Sequence, residues 1–142
     1  MNYWRVAAAS PSLKVGDVAY NKEQIVAMAG EAAERKVKIM VFPEMALVGY
    51  TAADLLGQGL LIEETELALL ELAEELPPDM LTTVGAPVAI GSSLYDAAVS
   101  FYGGVICGVS VKAFPANARG AYEKRWFAPA SSLDDLDRKS VV

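Results

Sequence analysis

The chain has 142 residues, no histidine, one cysteine and a formal net charge of −6. It therefore holds no Ser-His-Asp triad, no Cys-His dyad, no His-ligated zinc, no intramolecular disulfide and no four-cysteine metal site. The acidic balance argues against a nucleic-acid or anionic-membrane surface, and a thiol without a partner fits a reducing, cytoplasmic setting.

At 54% hydrophobic residues, the chain is too apolar to be disordered. Its apolar runs, such as Ile39–Phe42, fall far short of the roughly 18 consecutive residues of a membrane span. Met1–Arg5 is not followed by the long apolar stretch of a signal peptide. The surplus hydrophobicity is expected in strands buried on both faces, in an oligomer contact, or on a surface meant for a partner.

The first strand is expected over Trp4–Ser10, stopped by Pro11. Asn21-Lys22-Glu23-Gln24 has the form of a capping box, and Ile25, Met28, Ala29, Ala32 and Ala33 recur at helical spacing, so a helix is expected from Lys22 to Arg35. Val37–Phe42 is a β-rich run ended by Pro43-Glu44. Strand, helix and strand in that order form a βαβ unit. Thr51–Leu56 could open a short helix capped by Thr51. A second long helix is expected over Ile62–Leu76, with Ile62, Leu69, Leu72, Ala73 and Leu76 inward and a solvated acidic face around them. Pro77-Pro78 ends it.

Three strands are then expected, Thr82–Ile90, Leu94–Tyr102 and Gly104–Val111, joined by tight turns at Gly91-Ser92-Ser93 and Gly103-Gly104. Ala113–Pro129 reads as a long ordered loop with an aromatic-basic cluster. Asp134–Lys139 is a polar link, and Ser140-Val141-Val142 looks like the start of another strand. The expected core is Val6–Ala9, Ile39–Phe42, Val84, Val88, Ile90, Val99, Phe101, Val105, Cys107 and Val109.

Two charged residues stand directly behind apolar strands: Glu44 behind Val37–Phe42 and Pro43, and Lys112 behind Gly104–Val111. Ligands of α/β sheets bind outside the carboxyl ends of the strands. A Glu and a Lys meeting there could act as base and as cationic stabiliser of a developing oxyanion; the alternative is a structural ion pair. Strict alternation along the strand puts Cys107 on the face of Val105, Val109 and Val111 and Lys112 on the other. Cys107 then reads as a buried apolar residue rather than a nucleophile.

Phe42-Pro43-Glu44, Gly49-Tyr50 and Asp54-Leu55-Leu56 resemble segments of the carbon–nitrogen hydrolase (nitrilase) superfamily. The resemblance is greatest to the N-terminal glutaminase domain of the glutamine-dependent NAD+ synthetases. Val84-Gly85-Ala86-Pro87, Leu94-Tyr95, Ala97-Ala98-Val99, Gly108-Val109 before Lys112, Pro115, Tyr122-Glu123, Arg125 and Trp126-Phe127 agree with it in order and spacing. The similarity runs from Arg5 to Pro129, which implies a partial carbon–nitrogen hydrolase domain over residues 1–130 and a link with a truncated strand over 131–142. The implied fold is α/β, an incomplete part of a four-layer αββα sandwich.

The resemblance implies a Glu-Lys-Cys mechanism in which Glu44 is the general base and Lys112 the oxyanion stabiliser, with Tyr50, Tyr122 and Glu123 around the substrate. The implied substrate is glutamine. Its ammonia would pass to a synthetase domain that amidates nicotinate adenine dinucleotide, with ATP and Mg2+ bound only in that domain and no cofactor or metal in this chain. A homo-oligomer is also implied. The family's nucleophilic cysteine lies on a strand beyond the Tyr122-Glu123 loop and is absent from this chain, so the isolated chain is expected to be inactive. Alternatives are a fragment of a stand-alone amidase of the superfamily and a non-catalytic assembly module.

Departures from the family pattern are Val111 for Pro, Asp96 for Asn, and Ala118, Gly120 and Ala121 for the Tyr, Glu and Phe that help shape the glutamine pocket. The replaced Glu is described in the family as a fourth catalytic residue.

Overall fold

The computed structural model describes residues 3–134. Its elements follow in chain order: β1 (Val6–Ala8), α1 (Val18–Glu34), β2 (Ile39–Val41), a 3-10 segment (Tyr50–Gly57), α2 (Gly59–Glu75), β3 (Leu81–Ile90), β4 (Ser93–Tyr102) and β5 (Val105–Val111). The five strands form one sheet in the order β1-β2-β3-β4-β5. β1, β2 and β3 are parallel, and β3, β4 and β5 are antiparallel neighbours. The βαβ rhythm and the two hairpins are thus as expected. The second hairpin turns through Gly103 and Gly104, both at positive φ (64° and 80°), a pair of conformations that other residues reach only at a cost. Of the link and strand expected over 131–142, residues 135–142 lie outside the described residues.

Helix α1 begins four residues earlier than expected. Asp17 is its cap, accepting from the Tyr20 N–H at 3.1 Å. Asn21 is instead fully buried within the first turns. Its amide donates to the carbonyls of Lys14 and Leu47, and its oxygen accepts from the Lys14 N–H, at 2.8–2.9 Å. The polar residue that resembled a cap is therefore a buried staple between two loops. The Tyr50–Gly57 segment is kinked rather than regular: Thr51 and Ala53 leave helical geometry, and no side chain caps it.

The buried residues of the sheet explain where the apolar surplus goes. Ala7, Met40, Thr82, Phe101 and Ile106 align across the five strands by register. Met40, Thr82 and Phe101 of this row are buried, and α2 contacts β3, β4 and β5. The alternate positions form the opposite face, which no helix of the described residues covers. Here Val6, Val41 and Val105 are exposed at 64%, 43% and 58%, so the expectation that they belong to the core is corrected. The pleat turns them away from the helix layer. Leu60, Leu67 and Leu70 are exposed on the outer side of α2. One helix layer on one sheet layer is half of the expected αββα sandwich.

Cys107 is exposed as well, not buried. The register explains why: Gly108 pairs with Ser100 but Ile106 pairs with Phe101, so Cys107 is the extra residue of a β-bulge. The bulge reverses the alternation, placing Ile106 with Val109 and Val111 on the helix side and Val105 with Gly108, Ser110 and Lys112 on the open side. A single inserted residue thus overturned the strict parity assigned to Val105 and Cys107. No helix among the described residues is long and apolar enough to cross a membrane.

Candidate active site at the carboxyl ends of the parallel strands

Glu44 and Lys112 leave neighbouring parts of one sheet edge. Glu44 follows the carboxyl end of β2, and Lys112 follows that of β5. The backbone between Phe42 and Gly49 turns sharply, with Met45 at φ 55°, and lies directly on β3 at Gly85. A Cβ at Gly85 would stand 2.3 Å from the Pro43 carbonyl oxygen and 2.6 Å from the Glu44 Cα. Only a glycine admits this close approach of two backbones. Phe42 N–H donates to the Thr83 carbonyl at 2.9 Å, and Met45 to Gly49 close a tight turn.

The Lys112 ammonium donates to Glu44 Oε1 at 2.8 Å and to Glu123 Oε1 at 2.7 Å. Asp96 Oδ2 is 3.8 Å away. Glu123 is buried, and its second oxygen accepts from the Tyr50 hydroxyl and the Ala116 N–H, each at 3.2 Å. The loop carrying Glu123 is held from outside by Asp54, which accepts from Arg125 Nε at 2.9 Å and from the Trp126 indole at 3.0 Å. Lys112 also fixes the following loop through its backbone, its carbonyl accepting from Ala130 N–H.

The electrostatics follow from three carboxyls around one ammonium. Burial disfavours the Lys112 charge, but the hydrogen bonds and negative charges of Glu123 and Glu44 outweigh it and hold its pKa above that of an ordinary lysine. Burial pushes the Asp96 carboxyl up to about 6. The Glu44 charge adds to this, while the Lys112 ammonium opposes it. Burial and the Glu123 charge raise Tyr50. Hydrogen bonds from Arg125 and then from the Trp126 indole lower the surface Asp54.

Oxygens of Glu44, Asp96 and Glu123 all lie within 4.8 Å of one another. The cation they share is the Lys112 ammonium, so the group reads as a lysine cradle rather than a metal centre. A cleft of about 250 Å³ opens beside it, lined by Glu44, Thr83, Gly85, Asp96, Ser110 and Lys112. That size suits a small polar ligand rather than a drug-sized one.

Of the site residues expected from the sequence, Glu44, Lys112, Glu123 and Tyr50 meet. Tyr122 is 63% exposed and stands outside the cradle. The acid that the loop brings to Lys112 is Glu123; Gly120, where the family pattern has a Glu, occupies a left-handed turn at φ 84°. Asp96 and Gly85 belong to the site and are not among the residues expected there from the sequence. Asp96 carried a readable signal, being the sole charged residue within β3, β4 and β5. Cys107 is five residues from Lys112 along the strand, roughly 16 Å at the usual rise. It faces a separate groove of about 770 Å³ lined also by Tyr3, Trp4, Lys38, Asp79 and Tyr102.

A carbon-nitrogen hydrolase family model matches residues 5–131. The glutamine-dependent NAD(+) synthetase of Mycobacterium leprae is 34% identical over 129 residues, which is 88% of this chain and 18% of that protein. The enzyme of the same description from Aquifex aeolicus is 34% identical over 120 residues, 84% of this chain and 21% of that protein. The solved glutamine-dependent NAD(+) synthetase of Cytophaga hutchinsonii superposes with a TM-score of 0.84 at 28% identity, over 89% of this chain and 22% of that one. The nitrilase-superfamily amidase of Nesterenkonia AN1 superposes with a TM-score of 0.76 at 19% identity, over 89% of this chain and 48% of that one, and shares the fold. The chain thus spans about a fifth of the length of the synthetases it matches.

Proposed function

The chain belongs to the carbon–nitrogen hydrolase family, and we propose that it is the N-terminal part of a glutaminase domain that supplies ammonia to an NAD+ synthetase. The observation that carries this reading is the Lys112 ammonium, held between Glu44 and Glu123 at the carboxyl edge of the sheet. Similarity to glutamine-dependent NAD(+) synthetases over most of the chain supports glutamine as the amide substrate.

The reaction divides into two displacements. Glu44 accepts the proton of a cysteine thiol, and the thiolate attacks the side-chain amide carbon of glutamine. Lys112 stabilises the oxyanion that forms, a role in which one well-placed donor contributes about 3–4 kcal/mol. The carbon–nitrogen bond then breaks, and the proton held by Glu44 leaves with ammonia. Water, deprotonated by Glu44, attacks the thioester and releases glutamate and the thiol.

Glu123 keeps the ammonium in place, and Tyr50 keeps Glu123 in place. In this reading Cys107 is not the nucleophile, because five residues along the strand separate it from Lys112. The thiol must come from a cysteine outside these 142 residues. ATP and Mg2+ belong to the synthetase reaction, and no residue of this chain is assigned to them.

An assay for ammonia release from glutamine by the isolated chain tests this division. No thiol-dependent release is expected. Release abolished by alkylating Cys107 would overturn the assignment of the nucleophile.

A further inference from the structure

Within the site, one carboxyl oxygen has no hydrogen-bond partner among the described residues. Asp96 is 4% exposed, and its Oδ2 makes no hydrogen bond among the described residues. An unpartnered carboxylate oxygen in such surroundings is costly, because burial favours the neutral form. Oδ2 is nevertheless aimed into the cradle, 3.8 Å from Lys112 Nζ, which is beyond hydrogen-bond length but within reach of a small movement of the lysine chain.

The groups facing Asp96 are Glu44 from the loop after β2, Glu123 from the loop after β5, and the Lys112 ammonium, with the Tyr50 hydroxyl one step further out on Glu123. Its partner on β3 is the uncharged Pro87. Two carboxylates that already bind Lys112 therefore oppose ionisation of a third, and the single ammonium favours it.

We infer that Asp96 is a positioning residue of this site: its buried carboxyl takes up and releases a proton in place, and its ionised form draws the Lys112 ammonium away from Glu44. With Asp96 neutral, the ammonium has two acceptors, Glu44 and Glu123. With Asp96 charged it has three, and the most exposed of them, Glu44, yields most easily. The inference deepens the proposed glutaminase reading, on which it rests only for the catalytic meaning of Lys112. Under that reading, Asp96 sets how far the stabilising cation and the base are coupled as pH changes.

The test is a pH titration of the 142-residue chain without glutamine, following the Asp96 carboxyl carbon and the Lys112 side-chain nitrogen by NMR. Asp96 is expected to titrate with a midpoint near 6, and the Lys112 signal is expected to move with the same midpoint. Asp96→Asn should abolish that step in the Lys112 signal. Glu44→Gln, a change at a half-exposed side chain, should lower the Asp96 midpoint by removing a negative neighbour, and it gives a second reading if Asp96→Asn fails to fold. An Asp96 midpoint at the ordinary aspartate value of about 4, a Lys112 signal that ignores the Asp96 transition, or an upward shift in Glu44→Gln would each overturn the inference. Because no glutamine is involved, failure here would leave the glutaminase reading standing, and failure of glutamine turnover would leave the titration standing.

Discussion

Gly85 lies directly beneath Glu44: a Cβ on it would meet the Glu44 Cα at 2.6 Å and the Pro43 carbonyl oxygen at 2.3 Å. The obstruction is backbone on both sides, so no side-chain rotation relieves it. Gly85→Ala should lift the loop carrying the candidate base off the sheet and lengthen the contact between Glu44 and Lys112. Overpacking of this kind costs about 1–3 kcal/mol. Denaturant unfolding should register that loss, and a Gly85→Ala chain as stable as the parent would show that the loop is not seated as described.

Glu123 is the buried half of the lysine cradle. Its removal leaves the partly buried Lys112 ammonium with Glu44 as its one close acceptor, and strands the donors of Tyr50 and Ala116. Glu123→Ala should destabilise the fold by roughly 2 kcal/mol, the scale of hydrogen bonds to charged groups. It should also lower the Lys112 pKa, since Glu123 is the foremost influence raising it against burial. A titration of the Lys112 side-chain nitrogen checks the second effect, and an unchanged midpoint would contradict the pairing.

Asp96 gives stability a pH dependence of definite sign. Its carboxyl is raised in the folded chain to about 6 from 3.8, so between these values the folded state holds more proton than the unfolded one. Stability should therefore fall as pH rises from about 4 to about 6, and then level off. Asp96→Asn removes this penalty. It should be more stable than the parent by on the order of 2–3 kcal/mol at pH 7, and nearly equal to it at pH 4. Unfolding curves at the two values check this, and a parent chain that gains stability between them relative to Asp96→Asn would refute it.

The buried Asn21 is expected to be worth more than the helix cap it resembled. Asn21→Ala leaves the buried Leu47 carbonyl without its donor and removes both bonds to Lys14, whose carbonyl keeps the Asp17 N–H; an unsatisfied buried group costs about 1–3 kcal/mol together with the lost bonds. Asp17→Ala, which removes the actual cap, should cost about 1 kcal/mol. Thermal unfolding of the two variants should show the larger loss for Asn21→Ala, and the reverse order would contradict the role of Asn21 as a buried staple.

These cases show what could be read from residues alone. The five strands and two helices were legible because turn residues and apolar periods mark them locally. Glu44 and Lys112 were legible because each closes an apolar strand, and strand ends converge in an α/β sheet. The meeting of Lys112 with Glu123 was not, because it depends on the fold of an aperiodic loop fixed by Asp54, Arg125 and Trp126. Cys107 was misplaced because a β-bulge carries no sequence mark here, and one inserted residue exchanges the two faces. Val6, Val41 and Val105 were placed in the core because β-branched residues fit a buried strand, whereas register puts them on the face that the helix layer leaves open.

The most direct test of the central claim is a comparison of two nitrogen sources in the NAD+ synthetase proposed to contain this chain. Glu44→Ala and Lys112→Ala should each abolish glutamine-driven NAD+ formation while leaving ammonia-driven formation near the parent rate. Equal loss of both activities, or retention of the glutamine-driven one, would contradict the roles assigned to Glu44 and Lys112.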